Sequence, residues 1–392
     1  MKRPMGTGAE EAARWLEGKT PALESALAPL VEVNSFTDNV EGGRHVGRIL
    51  REQWKLPGLL SDVVSSSRYA DHLVFRSTGA PGLKPVALLG HLDTVFPPGK
   101  FEGYRVDGEL RRGPGTLDMK GGLVVMGAAL RALAETVGLD ALPPLRVVVV
   151  SDEEVGSPEG QAIIREVCAG SAAALVFESG RAQDAIITRR KGTGAMEALA
   201  HGKAAHAGNH HAEGANAIWA VARFVDAAQQ LTDYPRGVTV NVGKVLGGQG
   251  KNTVPDYAEA HVDLRFCNRA DGEQLLEALR QTAQRAAASV PGTRIELMGG
   301  IAREPLERSA ESAALLEAYA ACARASGLGG GEAGLIGGGS DASTTSSSGI
   351  ASIDGLGPRG KGFHTVEEHI EVATLVPKAQ ALARFLALRA GR

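Results

Sequence analysis

Five short segments carry groups that could do chemistry together. Three are apolar runs that end abruptly in charge: Leu88-Leu89-Gly90-His91-Leu92-Asp93-Thr94, Val150-Ser151-Asp152-Glu153-Glu154 and Val176-Phe177-Glu178-Ser179-Gly180. The fourth, Arg112-Gly113-Pro114-Gly115-Thr116-Leu117-Asp118, is a loop that opens a helical pattern, and the fifth, Gly362-Phe363-His364-Thr365, follows the last short apolar run. Gathering carboxylates without compensation is costly through mutual repulsion, unless cations neutralise them. Mixed imidazole and carboxylate donors suit zinc, or a borderline divalent ion such as cobalt or manganese.

The elements that must position these groups follow from periodicity. Residues 86–89, 147–150 and 172–177 are continuous apolar runs, and helical patterns occupy 22–31, 46–54 and 121–137. Such runs separated by helices read as strands buried on both faces of a largely parallel α/β sheet. Ligands of open sheets of this kind gather at the strands' C-terminal ends, where the charged groups fall. From 190 to 299 the rhythm changes to strand 195–200, helix 214–231, alternating strands 238–245 and 258–266, helix 271–288 and strand 293–298. That β-α-β-β-α-β order is the ferredoxin-like split motif, an antiparallel sheet with both helices on one face. The expected fold class is α/β, a mostly parallel-sheet domain of residues 1–189 and 300–392 interrupted by an inserted α+β domain of 190–299. The return segment predicts a helix at 311–326, a glycine-rich stretch, a strand at 350–353 and a closing helix from Glu371.

At 392 residues the chain exceeds the usual single core, which agrees with two domains. Lys and Arg number 42 against 45 Asp and Glu, a net charge of −3, too near zero for a nucleic-acid footprint. Aromatics at 4% argue against base-stacking platforms and carbohydrate shelves. Cys168, Cys267 and Cys322 are odd in number and far apart, so they form neither a disulfide framework nor a CxxC knuckle, and a reducing compartment fits. Lys2 and Arg3 precede no apolar stretch, and nowhere do 18 apolar residues run uninterrupted. The expectation is a soluble cytoplasmic protein with no membrane or nucleic-acid partner.

Taken in order, HLDT, GPGTLDMKGG, SDEEVGS, FESG, HAG and GFHT resemble the di-zinc aminoacylase and carboxypeptidase family. Its bacterial glutamate carboxypeptidase branch is nearest in style, and the resemblance runs from about residue 31 to 376. It implies that His91, Asp118 and Glu178 hold one zinc, and that Asp118, Glu154 and His364 hold the other, with Asp118 as the bridge. It further implies Glu153 as the general base acting on a water between the ions, and Asp93 as the acceptor that fixes the His91 tautomer. The chemistry agrees, because neighbouring Glu153 and Glu154 diverge at a strand end, leaving one for metal and one for water. One departure is Met119, where many relatives carry a second acid. In the inserted domain His206 resembles a histidine that reaches across a dimer to the developing oxyanion, a donor that favours the transition state. Asn252 and Arg265 match positions that bind the substrate carboxylate or carbonyl, with Arg303 a further choice. The loop Gly337-Gly338-Gly339-Ser340-Asp341 supplies donors for the same end of the substrate. A homodimer through the inserted lid domain is implied as well.

Each residue also has a bland reading. His91 alone could be a satisfied core histidine, Glu153 and Glu154 a solvated strand end, and Asp118 a helix cap. His369 competes with His364, and His201, His210 and His211 compete with His206. Arg265 could pair along its strand with Asp263 or Glu259, Asn252 could be a turn residue before Pro255, and Arg303 a solvated charge. Gly329, Gly331 and Gly334 spell GxGxxG but follow a helix and precede a strand, the reverse of a dinucleotide fingerprint. Ser340 lacks the GxSxG elbow, and residues 343–348 read as a helix start or polar loop. The reading is therefore zinc-dependent hydrolysis of an amide bond in a small peptide or N-acyl amino acid, releasing an amino acid with a free carboxylate. The alternatives are an N-acyl amino acid deacylase and, from another class, a silent binding protein on the same fold.

Overall fold

The apolar runs find their burial in one sheet. The computed structural model describes residues 7–390, and Lys2 and Arg3 lie outside them. Its six-stranded sheet runs in the order Leu60–Val64, His72–Arg76, Leu145–Val150, Val86–His91, Ala173–Val176, Ser352–Ile353. The last four are mutually parallel, while the first two add antiparallel edges. The edge strand Leu60–Val64 is exposed at every residue. By contrast, every residue of Val86–His91 is buried, as a central parallel strand requires.

Helix Gly121–Thr136 lies against this sheet and packs with Leu375–Arg389, which in turn meets Thr7–Trp15 and Ala310–Ala325. Close approach needs glycine at particular points. A Cβ on Gly90 would stand 2.6 Å from the Met119 Cε, and one on Gly122 would stand 2.0 Å from the Phe177 carbonyl oxygen.

A second, small antiparallel sheet pairs Arg105–Asp107 with Leu110–Arg112, then His369–Glu371 and Gly360–Lys361. It is absent from the sequence reading, and it ties the loop before Asp118 to the segment that carries His364. Behind it, the Arg359 guanidinium bonds to Asp184 at 2.7 Å and to Glu371 at 3.1 Å, and Lys378 reaches Asp184 at 3.3 Å. Burial pushes the Lys378 ammonium below its ordinary range against the pull of Asp184.

The described residues cluster into two compact units, one made of the chain through Arg189 with Arg308–Leu335 and the segment from Ser340, the other of Arg190–Glu307 with Ile336–Gly339. In the second unit the sheet order is Thr239–Gly247, Tyr257–Phe266, Gly192–His201, Arg294–Arg303, all antiparallel. Helices Ala217–Gln229 and Arg269–Ala288 pack on it around Phe224, Leu264 and Leu279. The strand order and the β-α-β-β-α-β succession are those of the split motif. Its last strand continues beyond 299 to Arg303 through Gly299 and Gly300, both at positive φ. Residues 343–348 begin within a short helix, Ala342–Ser347.

Helix propensity favours Gly122→Ala by about 1 kcal/mol, but the Phe177 carbonyl reverses the sign. The variant is expected to lose about 1–3 kcal/mol in urea unfolding, and a raised midpoint would show that the Phe177 main chain moves aside freely.

Candidate metal centre

His91 ends a fully buried strand, so its ring has no water to turn to. Its Nδ1 donates to the Asp93 main-chain carbonyl at 3.0 Å, which leaves Nε2 as the lone-pair nitrogen. The Asp93 carboxylate stands farther off, at 3.4 Å. In the metal-free protein the main-chain carbonyl is thus the nearer acceptor, with the carboxylate within reach of the same nitrogen. The carboxylate also accepts Thr37 Oγ1 at 2.8 Å and the main-chain N–H groups of Glu153 and Glu154, each at 3.2 Å. Asp93 thus anchors the turn Glu153–Val155 that presents both glutamates.

His91 Nε2 faces Asp118 Oδ1 at 3.4 Å and Glu178 Oε1 at 3.6 Å. His364 Nε2 faces the other Asp118 oxygen at 3.4 Å and Glu154 Oε2 at 3.1 Å. Charge-assisted hydrogen bonds are shorter, roughly 2.7–2.9 Å. A tetrahedral ion with ligands at about 2.0–2.1 Å sets its donors roughly 3.3 Å apart, which is close to these edges. His91 Nε2 and Asp118 Oδ1 are buried and accept or donate no hydrogen bond among the described residues. Two orphaned donor atoms facing one point fit a divalent cation, so the donor set suits the implied metal. Asp118 contributes one oxygen to each group, as a bridge would. Glu153 lies beside the first: donor atoms of His91, Glu153 and Glu178 fall within 4.8 Å of one another.

Electrostatics of the metal-free cluster show the strain of assembling it. Burial pushes Glu178 up to about 8, and the Asp118 charge adds to the push. Glu154 rises for the same first reason, burial. Bonds to Asp118 and Glu154 hold the His364 imidazole up at about 10. Burial opposes charge on His91, yet the Glu178 charge and the nearby Asp118 and Asp93 carboxylates keep it well above its ordinary value. Asp118 is buried too, but both histidines hold it far below the carboxylate range.

Two residues essential to this geometry escaped the sequence reading. The buried Glu368 carboxylate accepts the N–H groups of Leu117 at 2.8 Å, Asp118 at 3.0 Å and Gly115 at 3.2 Å. It therefore fixes the loop that aims Asp118, and burial pushes it up to about 8. Its place four residues after His364 was the available signal. Lys120 is wholly buried, donates to the Val33 carbonyl at 3.1 Å, and is pushed down to about 7 by burial against Glu368 and Asp93. Met119 lies beneath His91, whose N–H points at its Sδ at 3.3 Å. His369 is not in the cluster; its Nδ1 donates to the Glu367 carbonyl.

The remaining predicted residues stand apart from the metal ligands in their bonding. Ser340 is buried, donates to Asp354 at 2.6 Å and accepts the Ala342 N–H, so its hydroxyl shapes the loop and is not turned to a ligand. In the second unit, His206 Nδ1 accepts the N–H groups of Gly208 at 3.2 Å and Asn209 at 3.0 Å, which makes Nε2 the proton-bearing donor. The Asn252 carbonyl accepts the Ala207 N–H, placing both residues on one ribbon, Ala205–His206 with Thr253–Val254. Arg265 bonds to Asp263 twice at 2.9 Å, the strand-face pairing weighed above. Arg303 is 5% exposed, so it is no solvated charge.

Comparison with known proteins gives the site its kin. A model of the peptidase dimerisation domain of the M20 group matches residues 188–291. The chain is similar to carboxypeptidase G2 of Pseudomonas sp. (strain RS-16), 27% identical over 375 residues that span 93% of this chain and 89% of that one. It is also similar to acetylornithine deacetylase of Myxococcus xanthus, 31% identical over 218 residues, 51% of this chain and 55% of that one. In fold it is similar to the crystal structure of aminopeptidase PepT from Bacillus cereus ATCC 10987, with a TM-score of 0.79 at 21% identity, covering 95% of this chain and 99% of that one.

The pKa directions set a pH dependence. Ligation needs neutral imidazoles and an ionised Glu178, yet the metal-free protein holds these protons at pH 7, with His364 near 10 and Glu178 near 8. Loading therefore releases protons, and affinity falls as acid is added and rises with pH up to about 10, more steeply below about 8. Zinc calorimetry in buffers of different ionisation heat should show this release, and buffer-independent heats would contradict it.

Proposed function

We propose that the chain, which carries the M20-type peptidase dimerisation domain at residues 188–291 and is similar to carboxypeptidase G2 over most of its length, hydrolyses an amide bond to release a C-terminal amino acid with a free carboxylate, as a glutamate-carboxypeptidase-like exopeptidase. The observation that carries this is the pair of donor sets sharing Asp118, with Glu153 beside one of them. We assign zinc to both, held by His91, Asp118 and Glu178 and by Asp118, Glu154 and His364, with cobalt or manganese as substitutes. Bound there, the cations supply Lewis acidity that brings the pKa of water towards neutral and polarises a carbonyl oxygen.

The protein's own groups do the rest. Glu153, held by its main chain to Asp93, takes the proton of the attacking water and delivers it to the departing nitrogen. His206 as the Nε2–H tautomer is a donor suited to a developing oxyanion, and in this reading it serves the partner copy's site. Asn252, Arg303 and the main chain at 337–340 bind the substrate carboxylate, for which a guanidinium is the fitting donor. Arg265 joins them only by exchanging Asp263 for substrate. The similarity to an acetylornithine deacetylase favours, as a second reading, removal of an acyl group by the same machinery.

In this reading the second copy meets the outer edge of the second unit's sheet. Strand Thr239–Gly247 is at the edge of its sheet, with Val245 50% and Leu246 47% exposed. Ile218 and Trp219, 41% and 51% exposed, flank it from helix Ala217–Gln229, Ile218 lying against Gly247 and Gly248. An unpaired edge with apolar neighbours is a template for pairing with a copy of itself.

Two measurements check these readings. Metal analysis with amino-acid release from C-terminal-glutamate dipeptides and N-acyl amino acids should find about two ions per chain and chelator-sensitive release, the best substrate separating peptidase from deacylase. Glu153→Gln should keep metal and lose about 10²–10⁴ of kcat, whereas unchanged turnover removes the general-base role. Trp219→Glu should shift sedimentation from dimer towards monomer, and an unchanged dimer would place the interface elsewhere.

A further inference from the structure

Arg190 opens the second unit, is 4% exposed, and pairs by its main chain with Leu306 on one side and with Ile336 on another. Its Nη1 donates to the Gly338 carbonyl at 3.2 Å and to the Gly339 carbonyl at 3.3 Å. The neighbouring Lys191 N–H bonds to the Ile336 carbonyl at 2.8 Å, so the chain entering this loop is fixed as well. A buried guanidinium is an unusual choice for holding a surface-type glycine loop, and its effect follows from peptide geometry. In a trans peptide the carbonyl and the next N–H point in opposite directions. Two successive carbonyls turned to one nitrogen therefore turn the N–H groups of Gly339 and Ser340 to the opposite side. No acceptor meets those two N–H groups among the described residues. Gly339 has no room for a side chain, since a Cβ would stand 2.9 Å from the Arg303 Cδ. The loop thus leaves two main-chain donors uncommitted beside the stem of a buried arginine, an arrangement suited to an anion.

We infer that Arg190 is a positioning residue for substrate binding: it turns the peptide planes at 338–340 so that their N–H groups face the substrate's free carboxylate. This rests on the proposal that the protein takes substrates with such a carboxylate. Arg190 does not touch substrate in this account; it acts through the loop. Without it the loop samples other orientations, and the cost of ordering falls on each binding event.

The test compares an N-acyl-glutamate substrate with its C-terminal carboxamide, in the metal-loaded wild type and in Arg190→Met and Arg190→Lys. The wild type should prefer the free acid. Arg190→Met should raise KM for the acid about tenfold with kcat within about threefold, and leave the carboxamide nearly unaffected, so the preference collapses. Arg190→Lys, which keeps a cationic donor, should fall between the two, and it decides the matter if Arg190→Met lacks a cooperative melt. An acid preference unchanged in the variants, or an equal loss on both substrates, overturns the role of Arg190. A wild type without acid preference overturns the carboxylate reading itself, and with it this inference.

Discussion

Asp118, Glu154 and Glu178 bring three carboxylates together at the end of a sheet, interleaved with His91 and His364 at 3.1–3.6 Å. Repulsion among them, in a place where little water enters, is the constraint that the surrounding structure answers. With no cation the cluster holds itself together by retaining protons on the imidazoles and on Glu178. With cations, the protons leave and the same spacing becomes a coordination shell. The separations suit ligands around an ion, as the proposed loading requires.

Keeping the carboxylates in place falls to a ring of groups that touch no metal. Glu368 grips the main chain at Leu117 and Asp118, and Asp93 grips it at Glu153 and Glu154. Both use a carboxylate to collect N–H groups from a tight loop, which fixes direction without depending on side-chain packing. Buried Lys120 lies near both, and their charges favour its protonation while burial pushes it down to about 7. The small sheet joining His369–Glu371 to Leu110–Arg112 then brings residues some 250 positions apart to the same loop.

The parallel strands were legible because burial on both faces leaves uninterrupted apolar runs, and the charge that ends each run marks the sheet edge where ligands collect. His91, Glu153, Glu154 and Glu178 could be picked out this way, and Asp118 and His364 through motif order. Leu60–Val64 could not, since an edge strand exposed along its whole length has no pattern to show. Glu368 was hidden for a different reason: its partners are main-chain N–H groups, which leave no trace in residue types. The Ser340 hydroxyl closes onto Asp354, a contact that the glycine-rich sequence around it does not reveal. Arg265 and Asp263 alternate on one strand face, so their pairing was foreseeable from spacing alone.

The second unit is not a single stretch of chain: it takes Arg190–Glu307 and then the four residues Ile336–Gly339. The polypeptide therefore passes between units at four peptide bonds, after Arg189, Glu307, Leu335 and Gly339. In an ancestral gene, a fragment inserted at one point would bring only two such crossings. A piece exchanged between relatives as 190–307 would arrive with Arg190 but take the recipient's residues at 336–339, the partners its guanidinium holds. The stretch 190–307 alone is therefore not a complete compact unit, since Ile336–Gly339 belong to it from elsewhere in the chain.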